Sequence, residues 1–326
     1  MTPDKILYVD DEAMALKYFS RLVAPVAPVI TAGSVAEAVE VLQQRGAEIA
    51  VLVSDQRMPG ARGNELLRYA RENHPGVVRM LTTAYSELGE AVEAINRGEI
   101  YRYITKPWDL ESLHADLRNA LELSALRSER DTLLRQKMAV QSLQLLGHRA
   151  AQVAVACAGF VRADSARAVQ VFLQTARLAG CPRPDVDWAS TDHADLVEAE
   201  AARGIALGQR LLEWQPGFTA AAAPHQALAA LAEALGAQAQ MQGDTVRVDD
   251  RHVLTDLLAG SPRELPTPAQ AAWLAWLVPW GDAVQVRGVG SGWAVGLSAG
   301  TALPVLPQDW LATEVEGLLE SAARAD

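Results

Sequence analysis

The first 120 or so residues alternate short apolar runs with helical patterns, and few folds accept that rhythm. Ile6-Leu7-Tyr8-Val9 and Val29-Ile30-Thr31-Ala32 read as strands, as do residues 49–53, 77–82 and 101–105. Between them, the stretch up to Val23 and residues 35–45, 64–73 and 87–97 read as helices, with another from Leu110 onward. Strands of about five residues separated by helices of about ten predict an α/β domain with a doubly wound, five-stranded parallel sheet. Ligands in such sheets sit at the carboxyl ends of the strands. Asp10, Asp11, Asp55, Thr83 and Lys106 each stand at or just after a strand end.

Asp10 and Asp11 are adjacent, and Asp55 belongs to the neighbouring strand. Carboxylates gathered this way repel one another unless a cation joins them, and Mg²⁺ favours carboxylates together with waters and phosphate oxygens. Lys106, before Pro107, adds a compact positive charge, and Thr83 adds a hydroxyl. A carboxylate nucleophile, a metal, a cation and a hydroxyl donor together suit phosphoryl transfer to an aspartate. A solvated strand end would explain any one of these acids. It does not explain five matched positions in chain order.

Four stretches carry a family resemblance: Tyr8-Val9-Asp10-Asp11-Glu12, Ser54-Asp55-Gln56-Arg57-Met58-Pro59-Gly60, Leu81-Thr82-Thr83-Ala84-Tyr85, and Tyr101 to Trp108 with Lys106-Pro107 inside it. Residues 1–122 resemble the receiver domain of two-component response regulators. The resemblance implies that Asp55 is the phosphoacceptor, supplied by a sensor histidine kinase. It implies Mg²⁺ on Asp10, Asp11, Asp55 and the Arg57 backbone carbonyl. Thr83 and Lys106 would contact the phosphoryl oxygens, and Tyr103 stands where the family has an aromatic switch.

The chain has 326 residues, a length that suggests two or three domains. Its 40 acidic residues exceed its 29 Lys and Arg, for a formal charge of −11. Such a chain repels phosphate backbones, which argues against a dedicated nucleic-acid binder. No run of about 20 apolar residues is present, so no membrane span is expected. The amino terminus lacks a basic-then-apolar signal pattern, and two cysteines, Cys157 and Cys181, cannot build a disulfide framework. A cytoplasmic protein is the expectation.

Residues 110–149 read as one long helix in which Leu126, Leu133 and Val140 recur every seven positions. That pattern fits a weak dimeric coiled coil, or a single amphipathic helix packed on its own domain. Further helical patterns cover residues 153–178, 192–213, 226–235, 251–258, 269–278 and 308–323, with breaks at residues 180–184 and at Pro216-Gly217. Residues 245–248, 283–287 and 293–297 read as strands, the last two paired around a glycine-rich turn. Trp273 and Trp276 read as packing residues, and Cys157 as inert. There is no Walker loop and no basic helix-turn-helix.

In order and hydrophobic pattern this half resembles the helical-hairpin dimerisation domain of a histidine kinase followed by its ATP-binding α/β domain. The expected division is 1–122 receiver, 123–215 linker helix and hairpin, and 216–326 a small α/β sandwich. The resemblance also implies lost kinase chemistry. Gly260 stands where the family places a Mg²⁺-binding Asn, and Ser298 where it places an adenine-binding Asp. His148, followed by Arg149 rather than an acid, is an ordinary exposed helix residue, a phosphotransfer site, or part of a phosphatase-like site with Gln152. The leading expectation is a homodimeric response regulator with an ATP-incompetent, pseudokinase-like output that contacts a downstream signalling protein. The alternatives are a phosphotransfer protein or phosphatase, or an atypical histidine kinase.

Overall fold

The computed structural model describes residues 3–84, 100–159, 165–221, 223–298 and 305–324. The helix expected at residues 87–97 lies outside them, as do Tyr85, Ala299 and Gly300. The chain divides into two compact units, Met1–Gln136 and Lys137–Asp326. Among the described residues no helix is long and apolar enough to cross a membrane.

The first unit is built on β1 (Lys5–Val9), β2 (Val29–Ala32), β3 (Ile49–Asp55), β6 (Val78–Ala84) and β7 (Arg102–Lys106). They form one sheet in the order β2-β1-β3-β6-β7, with every pairing parallel. A two-residue ladder, β4 (Arg57–Met58) with β5 (Ala61–Arg62), follows β3. The helices are α1 (Ala13–Val23), α2 (Val35–Arg45), α3 (Gly63–Asn73) and the start of α4 (Leu110–Ala158). Successive strand residues point to opposite faces. Leu7, Val9, Leu52 and Leu81 therefore pack with Leu42, Leu66 and Leu67 of α2 and α3. Ile6, Tyr8, Val51, Val53 and Met80 pack with Phe19, Val23, Leu113 and Leu117 of α1 and α4. Burial on both faces is why these strands read as continuous apolar runs rather than alternating ones.

α4 runs unbroken from Leu110 to Ala158 and belongs to both units. Leu126, Leu133 and Val140 on it are 57%, 57% and 54% exposed. The seven-residue apolar repeat is thus an uncovered stripe in the single chain.

The second unit adds α5 (Ser165–Leu178), α6 (His193–Thr219), α7 (Pro224–Leu235), α8 (His252–Ala259), α9 (Pro268–Trp280) and α10 (Trp310–Arg324). Its sheet is antiparallel, β10-β11-β9-β8, from β8 (Ala239–Gln242), β9 (Thr245–Val248), β10 (Val284–Val289) and β11 (Gly292–Leu297). The glycine-rich stretch expected between paired strands is the β10–β11 turn, with Gly290 at φ +61°. β8 was not legible, because Ala239-Gln240-Met241-Gln242 carries no β-branched residue.

α9 begins with a capping box between Thr267 and Gln270, and residues 271–278 are all buried. A helix buried on every side shows no amphipathic period, only a solid apolar run. Trp273 and Trp276 stack with centroids 5.9 Å apart, and Trp276 Nε1 donates to Ala227 O at 2.8 Å. They are core residues, as their sequence reading had it.

The break expected at Pro216-Gly217 does not occur: α6 continues to Thr219. Proline removes one intrahelical hydrogen bond. Here side-chain contacts within the helix and beyond it accompany that loss. Trp214 stacks on Phe218 at 5.6 Å across the proline, and Trp214 Nε1 donates to Pro268 O at 3.1 Å.

Arg149 and Arg203 fasten this unit. Arg149 of α4 is 2% exposed and faces Glu200 of α6, which is 5% exposed. Its Nε and Nη2 donate to the Glu200 carboxylate at 2.9 and 2.5 Å, and Nη1 donates to Leu258 O and Gly260 O at 2.7 Å. Arg203 donates to Ser261 O at 2.9 Å, to Glu264 O, and at longer range to Asp256 O and Leu257 O. The last carbonyls of a helix lack intrahelical partners and carry its negative end. Two guanidiniums supply those partners for α8. Burial lowers the Arg203 pKa to about 10, with Arg149 nearby adding to the shift.

Breaking a buried pair strands the other charge, at a cost of about 3–5 kcal/mol. Arg149→Ala is expected to lower the unfolding free energy of the second unit by that order, read by urea titration. The double replacement Arg149→Met with Glu200→Leu should cost less than either single truncation. A single truncation costing under about 1 kcal/mol would contradict the clamp.

Burial also pushes the thiols of Cys157 and Cys181 up to about 12. A folded-state pKa above the unfolded value contributes stability below the unfolded thiol pKa and loses it as pH rises through the folded value. Unfolding free energy should therefore decline between pH 9 and 12. At pH 8.5 iodoacetamide should label neither thiol in the folded chain and both in denaturant, read by intact mass.

Candidate functional site

Three strands end at one place in the first unit, because β1, β3 and β7 run parallel in the same sheet. Asp10 follows β1, Asp55 closes β3 and Lys106 closes β7. Lys106 Nζ donates to Asp10 Oδ2 at 2.8 Å and to Asp55 Oδ1 at 2.6 Å. Asp10 is buried, while Asp55 and Lys106 are partly so. Burial works against the Lys106 charge, but hydrogen bonds and attraction from Asp10 and Asp55 outweigh it and raise its pKa. The ammonium stays charged at neutral pH and holds both carboxylates.

Other donors fix the carboxylates. Glu12 N donates to Asp10 Oδ1 at 2.9 Å, and Arg57 N donates to Asp55 Oδ2 at 2.9 Å. Tyr8 Oη donates to Asp10 Oδ2 at 2.6 Å. Burial first, then that bond and the negative charges of Asp10 and Asp55, push the Tyr8 pKa up. Tyr8 stacks on Phe19 at 3.9 Å, and Trp108 meets both rings edge-on. The Lys106 ammonium lies 5.9 Å from the Trp108 ring centre.

The two threonines at the end of β6 divide their contacts. Thr82 Oγ1 donates to Asp55 Oδ1 at 3.3 Å. Thr83 Oγ1, the hydroxyl expected at the phosphoryl group, donates to Gln56 Oε1 at 2.6 Å. Tyr103 is half-buried against the α2–α3 side of the sheet. Asp11 is exposed.

The loop after Asp55 returns tightly onto its strand. Gly60 has φ +85°, where L-residues with a side chain are strained. Gly63 N donates to Gln56 O at 3.1 Å, and a Cβ at Gly63 would overlap the Asp55 carbonyl and crowd Ser54 Oγ. Gly63 was missed in the sequence reading, and Tyr8, Thr82 and Gln56 stood within the resembling stretches without a role. Glycine five to eight residues past a strand-end aspartate was the one signal available for Gly63.

Among the described residues, no three His, Cys, Asp or Glu side chains stand close enough together to hold a metal by themselves. Mg²⁺ needs only one or two carboxylates alongside waters and phosphate oxygens. Asp11, Asp55 and the Arg57 carbonyl are hard oxygen donors of that kind, so the donor set fits the ion.

A separate cluster lies in the second unit. His148 is exposed on α4, and Gln152 Nε2 stands 3.1 Å from His148 Nε2 and 3.5 Å from Glu200 O. A cavity of about 440 Å³ is lined by His148, Gln152, Trp188, His193 and Glu200, among others. The structure thus brings His148 and Gln152 together, while Arg149 turns inward to Glu200.

Residues 6–118 match the response regulator receiver domain family. The hydrogenase transcriptional regulatory protein HoxA of Bradyrhizobium diazoefficiens is 34% identical over 127 residues, 39% of this chain and 26% of the relative. The transcriptional regulatory protein GlrR of Escherichia coli is 33% identical over 124 residues, 38% of this chain and 27% of the relative. The chain therefore spans about a quarter of the length of these curated relatives. A crystal structure of a response regulator receiver domain protein from Clostridium thermocellum is similar at 27% identity and TM-score 0.36, covering 40% of this chain and 98% of that one.

Gly63→Ala tests the tight return of the loop. It is expected to destabilise the first unit by at least about 2 kcal/mol, the scale of strained backbone and overpacking. Gly76→Ala, where nothing crowds the added methyl, should be near neutral. Equal unfolding midpoints for the two variants would contradict the packing described. With a parallel α/β sheet, paired strand-end carboxylates and a bridging lysine, residues 6–118 form a response regulator receiver domain.

Proposed function

We propose that Asp55 accepts a phosphoryl group from a partner histidine kinase and that the second unit passes the signal on by protein contact. The Lys106 bridge carries this reading. One ammonium already holds the aspartate Oδ1 that would attack phosphorus and can follow its charge onto the phosphoryl oxygens. Bound Mg²⁺ would neutralise charge on the transferring group, with Asp11, Asp55 and the Arg57 carbonyl as its donors and Asp10, bonded to Lys106, Tyr8 and the Glu12 amide, beside them. Thr83 and Lys106 would meet the phosphoryl oxygens, and Tyr103 would respond to the Thr83 movement. α4 begins four residues beyond Lys106 and continues into the second unit.

Within the remainder, residues 123–215 would be a linker helix and dimerisation hairpin, and 216–326 a degenerate kinase-like domain. The uncovered Leu126, Leu133 and Val140 stripe supports a homodimer. Packing at the expected nucleotide positions supports ATP incompetence. A Cβ at Gly260 would lie 2.7 Å from Asp256 O, so an Asn there has no room, and the Gly260 carbonyl is taken by Arg149. Ser298 N and Oγ both donate to Ala283 O, at 2.8 and 3.2 Å. The relatives are named as transcriptional regulators, but the acidic balance of this chain favours a signalling protein as its target rather than nucleic acid.

The His148–Gln152 contact favours a second reading, a phosphotransfer or phosphatase site.

Acetyl phosphate with Mg²⁺ is expected to add one phosphoryl group to the full chain by intact mass, and none to Asp55→Asn. Labelling that survives Asp55→Asn would contradict the reading. An acid-labile, base-stable fraction that disappears in His148→Ala would establish the second one.

A further inference from the structure

The geometry points to Gln56 as a brake on the phosphorylation site: its side-chain carbonyl holds the Thr83 hydroxyl away from Asp55 until the phosphoryl group competes for it. This rests on the reading of Asp55 as phosphoacceptor and Thr83 as its hydroxyl partner.

Three observations carry it. First, Thr83 Oγ1 donates to Gln56 Oε1 at 2.6 Å, and both residues are buried. A hydroxyl has one proton and donates to one acceptor at a time. Bonding to Gln56 and bonding to an oxygen on Asp55 are therefore mutually exclusive.

Second, the Gln56 backbone is pinned from both sides. Gln56 N donates to Thr82 O at 3.1 Å, and Gly63 N donates to Gln56 O at 3.1 Å. The amide side chain starts from a fixed point one residue beyond Asp55, so the acceptor is placed by the same loop that places the phosphoacceptor.

Third, the Asp55 carboxylate already has a hydroxyl donor in Thr82, at 3.3 Å. Two adjacent threonines, alternating across β6, cannot both face one carboxylate. The Thr83 hydroxyl has a partner of its own and no need of Asp55 while that carboxylate is unmodified. The arrangement seen here and the one a phosphoryl group would select would make this buried side chain a two-state element that local charge can bias.

The consequence is a threshold. Recruiting Thr83 strips Gln56 Oε1 of the Thr83 donor, and that loss opposes the phosphorylated arrangement. Replacing Gln56 by a residue of similar length without a strong acceptor should remove the opposition.

Beryllofluoride with Mg²⁺, a phosphoryl mimic, can be titrated into the full chain by calorimetry. Gln56→Met is expected to tighten binding about 2- to 10-fold, the equilibrium equivalent of one net hydrogen bond. In a Thr83→Ala background the same change should have no effect. Unchanged or weaker binding in Gln56→Met, or an equal gain with and without Thr83, would overturn the brake. Gln56→Glu keeps an acceptor and serves if Gln56→Met does not fold. It should weaken binding more with Thr83 present than in Thr83→Ala, and an equal effect in both backgrounds would overturn the proposal. Failure of the underlying reading looks different: the wild-type chain would bind no beryllofluoride, or Asp55→Asn would bind it as well as wild type.

Discussion

The Lys106 ammonium lies between two carboxylates that could not otherwise share one pocket. With contacts of 2.8 and 2.6 Å, Asp10 Oδ2 and Asp55 Oδ1 stand within about 5.4 Å of each other. At an effective dielectric of about 20 their repulsion would be about 3 kcal/mol. The cation offsets it, and the fold delivers that cation from a strand far away in sequence. Everything else at the site follows from this triangle. Tyr8 and the Glu12 amide take up remaining Asp10 lone pairs, and the Arg57 amide and Thr82 do the same for Asp55. The arrangement leaves an ammonium already in place beside Asp55 to meet the new negative charge that a phosphoryl group there would bring.

The second unit repeats this logic with a different purpose. Arg149 and Glu200 are buried together, Arg149 spends its remaining donors on Leu258 O and Gly260 O, and Arg203 reaches Asp256 O and Leu257 O as well as Ser261 O and Glu264 O beyond the helix. Such a network fixes geometry more than it adds stability, since a well-packed apolar replacement can be as stable. The position following His148 is therefore a structural anchor, and the imidazole beside it is left exposed with Gln152 as its neighbour.

Much of the first unit was legible because parallel strands buried on both faces announce themselves as apolar runs, and charged residues at their ends mark the ligand edge. β1, β2, β3, β6 and β7 fall within a residue or two of their expected bounds. Asp10, Asp55 and Lys106 converge as their positions implied. What the sequence hid were side-chain choices set by tertiary distance. Thr82 and Thr83 are indistinguishable as letters, yet opposite pleat directions send one toward Asp55 and the other toward Gln56. Tyr8 read only as a core residue of a buried strand, and its hydroxyl became visible as a donor only with Asp10 beside it. In the second unit the weak β propensity of residues 239–242 concealed a strand, and Pro216 suggested a break that stacking of Trp214 on Phe218 bridges.

The most direct test of the Lys106 triangle is a crystal structure of the full chain with Mg²⁺ and beryllofluoride. The expected result is an adduct on Asp55 with Lys106 Nζ within hydrogen-bond distance of a fluoride. An adduct absent from Asp55, or a Lys106 side chain turned away from it, would contradict the site described.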